Sequence, residues 1–317
     1  MNHTCVFRMS GIPVAVNADD PSLFRVVKDF FSGYTFLRRM PAGRRITMNL
    51  TSRRPSLIQP AHRPVLFTYG RIKGYRLEHG LLLSDTSTFV TVDHRSGTVN
   101  AYVDPRILER GTEFVSIFIT IAIIDLLRLH GLYYLHASAV RSRNRSVLLC
   151  GMGMSGKTTL SLGLLFNGYR LCSDDAVFLR HDDNAVRAVG FKKDIHVTAE
   201  TLALYKARLR GIKPPRPPFH KASVPYRRFS TAGSITPDTI VFLQPGNRQH
   251  SKVEAIEPTR AMSLLIPQSL MLFFHHETAG THVRVLNALL HQARTYLCSC
   301  GRDLLQDPLI IFKSTGT

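Results

Sequence analysis

The run Gly151-Met-Gly-Met-Ser-Gly-Lys-Thr158 constrains this chain more than any other feature. A glycine, four residues and then Gly-Lys-Thr is the pattern of a loop that wraps a polyphosphate. Its glycines let successive backbone N–H groups, and the N-terminus of the following helix, face an anion. Such a loop needs a strand before it and a helix after it. Val147-Leu-Leu-Cys150 reads as a buried strand, and Thr159 to Phe166 reads as a helix ended by Asn167-Gly168. In this setting Lys157 reaches β- and γ-phosphates and the Thr158 hydroxyl holds Mg²⁺. The expected ligand is therefore a nucleoside triphosphate, ATP with Mg²⁺.

The loop lies in a chain of 317 residues, enough for one large domain or two ordinary ones. Residues 1–110 read as a small β-rich module with an early helix, Leu23 to Phe31, begun by Asp20-Pro21-Ser22. Strands are expected over Gly80–Asp85, Thr88–Asp93 and Thr98–Val103, followed after Pro105 by a long helix from about Glu109 to His130. Residues 111–317 read as the α/β domain that carries the loop. There the expected strands are Tyr133–Val140, the strand into the loop, Arg170–Asp174, Ala176–Leu179 and Ile240–Leu243. Helices are expected over Pro258–Leu272 and Val283–Arg294. Gly211 to Arg228 holds five prolines among basic residues and reads as an exposed loop.

Composition narrows the partners. Lysine plus arginine number 41 against 22 acidic residues, a net charge of +19, which favours an acidic partner. The basic clusters are not interleaved with aromatics and no nucleic-acid module motif is present, so nucleic acid is not the expected ligand. The longest apolar stretch, Phe114–Ile124, is interrupted by Asp125 and Arg128 and is too short for a bilayer, so it reads as a buried helix. The N-terminus lacks the pattern of a signal peptide, and a cytoplasmic location is expected. The five scattered cysteines do not suggest a disulfide framework. Cys298 and Cys300, with His291, lack a second ligand pair at zinc spacing and read as thiols.

Two features beside the loop bear on chemistry. Asp174-Asp175 ends the strand after the loop helix, where a carboxylate can hold Mg²⁺ or take a proton from a hydroxyl. Adjacent strand residues point to opposite sides, so both serve one site only if the strand ends or bends there. Either could instead cap a turn. The second feature is His136. If the preceding hairpin turns at Arg143-Asn144, facing residues sum to 287, and His136 stands opposite Gly151 at the mouth of the loop. The alternative is a hydrogen-bonded core histidine.

The segments Leu135-His-Ala-Ser-Ala-Val140, Gly151 to Leu160 and Gly168-Tyr-Arg-Leu-Cys-Ser-Asp-Asp-Ala-Val177 together resemble the C-terminal kinase domain of HPr kinase/phosphorylase. The likeness covers about 130–180, continues only by layout to the C-terminus and does not extend to the first 110 residues. It implies a P-loop kinase core of the HPr kinase and phosphoenolpyruvate carboxykinase type. It further implies that Gly151, Gly153, Ser155 and Gly156 line the phosphates, with Thr159 beside them. Lys157 neutralises phosphate charge, and Thr158 and Asp175 bind metal. Asp174 is the base for an acceptor serine, with His136 in support. The family's bifunctional members carry a downstream glutamate, absent from Ala188-Val-Gly-Phe-Lys-Lys-Asp-Ile195 here, which argues against phosphorylase activity. Lys192, Lys193 and Lys221 either contact nucleotide or acceptor, or form a solvated basic face. The expected acceptor is a serine of a peptide or small protein, such as the lasso-peptide precursors used by stand-alone relatives. A small-molecule acceptor, a non-catalytic nucleotide-binding regulator and homo-oligomerisation stay open.

Overall fold

Alternating apolar and polar residues in the first hundred positions build one sheet of nine strands. They are β1 (His3–Met9), β2 (Ile12–Ala18), β3 (Thr35–Leu37), β4 (Ile46–Thr51), β5 (Val65–Tyr69), β6 (Ile72–Leu77), β7 (Gly80–Ser84), β8 (Thr88–Asp93) and β9 (Thr98–Val103). Their order is β3-β1-β2-β4-β9-β8-β7-β6-β5. This is seen in a computed structural model that describes residues 3–53, 63–85, 88–104, 113–182, 184–215, 220–274 and 276–313. The fold is mixed α/β and divides into two compact units, Met1–His130 and Gly131–Thr317.

Helix α1 (Pro21–Phe30) starts where Asp20 accepts hydrogen bonds from the Ser22 and Leu23 amides at 2.8 and 3.1 Å, and it buries Leu23 and Val27 one turn apart. Helix α2 (Glu113–Arg128) packs on α1 and β8. It therefore belongs to the first unit, and the division falls after this helix, not near residue 110. The part of the helix expected before Glu113 lies outside the described residues. Asp125, which interrupts the apolar run, is fully buried. Arg128 Nε donates to it at 2.9 Å, and His94 Nε2 lies 2.7 Å from its other oxygen.

In the second unit β10 (Tyr133–Leu135), β11 (Ala137–Arg141) and β12 (Ser146–Cys150) lead to α3 (Lys157–Phe166). Then come β13 (Arg170–Ser173), β14 (Val177–Asp182), β15 (Ala185–Gly190), β16 (Ile195–Thr198), α4 (Ala199–Leu204), β17 (Lys221–Val224), β18 (Ser234–Ile235), β19 (Thr239–Arg248) and β20 (Lys252–Ala255). Helices α5 (Pro258–Leu265) and α6 (His276–Gln292), strand β21 (Arg294–Gly301) and α7 (Ile310–Lys313) complete it. The central sheet has the order β13-β11-β12-β19-β21-β20, with β12, β19 and β21 mutually parallel. A second sheet runs β10-β14-β15-β18, and β16 pairs with β17.

Strand β12 is buried on both faces, which is why it reads as an unbroken apolar run. Val147 and Leu149 join one core with Leu160, Leu162 and Leu164 of α3. Leu148 and Cys150 join the opposite core with Leu265 of α5 and Leu286 and Leu289 of α6.

The helix expected over Val283–Arg294 runs instead over His276–Gln292, with Arg294 opening β21, and three further elements differ from the sequence expectation. The strand expected over Tyr133–Val140 breaks at His136 into β10 and β11, which enter different sheets. The helix expected over Pro258–Leu272 stops at Leu265, because Pro267 cannot continue its hydrogen bonding; 3₁₀ turns Ile266–Gln268 and Leu270–Phe273 follow. The proline-rich stretch is not all loop: residues 216–219 lie outside the described ones, but Lys221–Val224 is a strand that buries Ala222 and Val224 alternately. Among the described residues no helix is long and apolar enough to cross a membrane.

The Asp125 cluster gives a stability test. Asp125→Ala would leave Arg128 buried without its carboxylate, a change worth about 3–5 kcal/mol for a buried pair. The midpoint of urea unfolding for the first unit is expected to fall accordingly.

Candidate functional site

The loop departs from the end of β12 at Cys150 and returns as α3. Gly151 has no room for a side chain: an added Cβ would lie 2.6 Å from Ser155 Oγ and 2.8 Å from the Leu243 carbonyl. Met154 and Gly156 both take left-handed backbone, φ 64° and 90°. Gly156 caps α3 and supplies no side-chain acceptor, so the first-turn amides of the helix keep their partial positive charge for another partner. Ser155 Oγ is buried and has no hydrogen-bond partner among the described residues. A buried hydroxyl at a helix N-terminus is placed where it can donate to an anion.

Lys157 is folded into the loop. Its Nζ donates to the Gly151 and Met152 carbonyls at 2.7 and 3.1 Å. Burial pulls its pKa below the usual lysine value, against the opposing pull of Asp175, Cys150 and Asp174.

The β11–β12 hairpin has the register expected from its turn, with Ala137 opposite Cys150 and Arg141 opposite Ser146. His136 lies one residue beyond this ladder, in the break between β10 and β11. Its amide donates to the Gln268 carbonyl at 2.8 Å, which holds the break between β10 and β11. Its ring Nδ1 is 2.9 Å from the Asp175 carbonyl and 3.3 Å from Asp175 Oδ1. A carbonyl only accepts, so Nδ1 carries the hydrogen and Nε2 is the bare nitrogen of the neutral ring. Burial lowers the His136 pKa, opposed by Asp175 and aided by Lys157.

Strand β13 ends at Ser173, and the chain turns sharply as the Ala176 amide bonds the Asp174 carbonyl at 2.9 Å and Asp175 adopts φ 67°. The two carboxylates therefore point to different surroundings. Asp174 is 5 % exposed and wrapped in hydroxyls: Ser138 Oγ at 2.5 Å, Thr158 Oγ1 at 3.0 Å and Ser161 Oγ at 3.4 Å. Burial raises its pKa, with the Ser138 bond opposing. The Asp175 side chain is 52 % exposed, with His136 on one side and Lys193 Nζ at 3.4 Å on the other. Burial pulls its pKa up, but Lys193, His136 and Lys157 together hold it below the usual carboxylate value.

Thr159 turns away from the loop, its hydroxyl 2.8 Å from that of Thr201, which is itself 3.2 Å from Thr198 Oγ1. Gly153 borders open space. Sequence reading missed Ser138, Ser161 and Gln268. The two serines carried a signal: Ser138 is a polar residue within an apolar strand, and Ser161 lies three residues after Thr158 on the same helix face. Gln268 carried none, because its place depends on the fold. Its backbone holds His136, and its Nε2 lies 3.3 Å from Met152 Sδ.

The oxygen donors Thr158 Oγ1 and Asp174 Oδ2 suit Mg²⁺, which takes few protein ligands and completes its shell with water and phosphate. Among the described residues no group of three or more histidine, cysteine or carboxylate side chains forms a metal cage. Cys298 and Cys300 are free thiols on β21.

No protein-family model matches the chain, and no curated protein matches it. Among solved structures, the HPr(Ser) kinase/phosphatase from Coxiella burnetii is similar at a TM-score of 0.33 and 13 % identity, covering 57 % of this chain and 89 % of that one. The likeness is distant, and the geometry of the loop and its carboxylates stands without it.

The raised pKa of Asp174 has a testable sign. Ionising this group costs more in the folded chain than in the unfolded one. Its contribution to stability is thus complete below the ordinary carboxylate value and is lost as pH rises through the raised value. Asp174→Asn is expected to melt above the wild type at neutral pH, and the two melting curves should converge near about pH 3.

Proposed function

We propose that this chain is an ATP- and Mg²⁺-dependent phosphotransferase with a P-loop kinase core, acting on a hydroxyl group, with serine of a peptide or small protein as the favoured acceptor. The observation that carries this reading is the joining of Thr158, on the first turn of α3, to Asp174 at 3.0 Å, with Asp175 and His136 alongside. A loop that only binds nucleotide does not call for a second carboxylate paired with an imidazole beside it.

When bound, Mg²⁺-ATP supplies the phosphoryl group and a cation that spreads the charge on its oxygens. The residues of the chain then have separate tasks. The loop amides and Ser155 Oγ hold phosphate oxygens. Lys157, bonded to two loop carbonyls, would neutralise phosphate charge. Thr158 and Asp174 form the metal-binding edge.

For the proton, the geometry favours Asp175 over the Asp174 expected from sequence. Both oxygens of Asp174 are already engaged by hydroxyls, and the group is buried. Asp175 is half exposed and held ionised by its neighbours, so it can receive the acceptor hydroxyl's proton. His136, fixed by the Asp175 carbonyl, stands beside that carboxylate. Metal binding thus passes from Asp175 to Asp174 in this reading.

Labelled ATP, candidate serine peptides and mass spectrometry test the assignment. Lys157→Ala is expected to abolish ATP binding measured by calorimetry; unchanged binding would remove the loop from the mechanism. Asp175→Asn is expected to keep ATP affinity while slowing transfer by about 10²–10⁴-fold. If Asp175→Asn transfers at the wild-type rate, Asp175 is not the base.

A further inference from the structure

The glycine loop presents two large apolar side chains to solvent: Met152 is 65 % exposed and Met154 is 79 % exposed. Nothing in phosphate binding calls for them, since the backbone of such a loop does that work. Met154 also holds left-handed backbone, a conformation that a side chain rarely adopts. Gln268 brings the 3₁₀ segment against Met152, and Leu270, two residues on, is 46 % exposed. On this side of His136 the surface is apolar and, through its thioethers, adaptable.

The other side is basic. Lys193 reaches Asp175 at 3.4 Å. Lys221 opens β17 opposite Thr198 and is exposed. The hydroxyl chain Thr198–Thr201–Thr159 ties that position to the first turn of α3, and Lys221 acts electrostatically on both Lys157 and Asp175. The order across the site is therefore Met152 with the Gln268–Leu270 segment, then His136, then Asp175, then Lys193 and Lys221.

Resting on the phosphotransferase reading, we propose that the acceptor is an extended peptide whose hydroxyl residue stands between an apolar side chain on one side and carboxylates on the other. The apolar neighbour lies on Met152 and Leu270. The carboxylates face Lys221 and Lys193, and the hydroxyl falls between them at Asp175 and His136. An extended chain advances about 3.3 Å per residue, so the flanking residues that matter are the nearest two or three. A small metabolite would reach one of these surfaces, not both. The net charge of +19 points the same way.

The test uses the full chain, ATP and synthetic peptides with a central serine. One set carries leucine on one side and glutamates on the other, made in both orders. A second set replaces the glutamates with lysines. For the wild type the glutamate set is expected to exceed the lysine set by about tenfold or more in kcat/KM. Lys221→Glu, a surface change, is expected to invert that ranking, and Met152→Ser to erase the advantage that the leucine peptides hold over a third set with glutamine in place of leucine. Equal use of both sets by the wild type, or an equal loss on both in Lys221→Glu, would overturn the inference while leaving the phosphotransferase reading intact. If the wild type binds ATP and phosphorylates no peptide of either set, the peptide acceptor and this inference are overturned, whereas loss of ATP binding itself would overturn the phosphotransferase reading.

Discussion

The second unit is organised around one buried carboxylate. Asp174 receives hydroxyls from Ser138 on β11 and from Thr158 and Ser161 on α3, while its own backbone ends β13. It thereby joins the strand that carries His136, the helix that leaves the glycine loop and the turn that displays Asp175. A carboxylate with so little solvent costs several kcal/mol unless hydroxyls or metal offset it. The three hydroxyls offset part of that cost and leave one oxygen shared with Thr158, the edge at which a cation would add its share. The loop, the histidine and the second carboxylate all take their positions from this tie.

Around it the chain resolves a conflict between neighbours. Two consecutive aspartates in a continuing strand would face opposite sides of a sheet. Ending β13 at Ser173 and placing Asp175 in left-handed backbone turns both toward the loop, one inward and one to the surface. Aspartate tolerates that conformation better than most residues. The same turn aims the Asp175 carbonyl at His136 Nδ1, so a single strained residue sets the histidine tautomer and frees a carboxylate.

Much of this was legible in the sequence, for identifiable reasons. The loop and its flanks were readable because glycine spacing and an unbroken apolar strand are local signals. The hairpin register followed from the turn at Arg143-Asn144, since a strand period of two fixes every later pair. Other features depend on distant partners. The break at His136 is held by Gln268, over a hundred residues away. The inequality of Asp174 and Asp175 comes from who surrounds each, which no spacing encodes. Pro267 did announce the end of α5, but the apolar periodicity on both sides of it spoke for a longer helix. Asp125 looked like an interruption in an apolar run and is instead fully buried, with Arg128 and His94 bonded to it.

Lys157 gives the loop a further property. Its ammonium is bonded to two carbonyls of the loop that it serves. The ammonium is thus solvated by the backbone of its own loop. An incoming anion has to displace that arrangement, so what it gains is the excess of its own bonds over those two. Weak or singly charged anions gain little by such an exchange, whereas a chain of phosphates, which meets the amides, the ammonium and the hydroxyls together, gains on every contact. Two backbone oxygens thus set what a ligand's charge has to outweigh at Lys157.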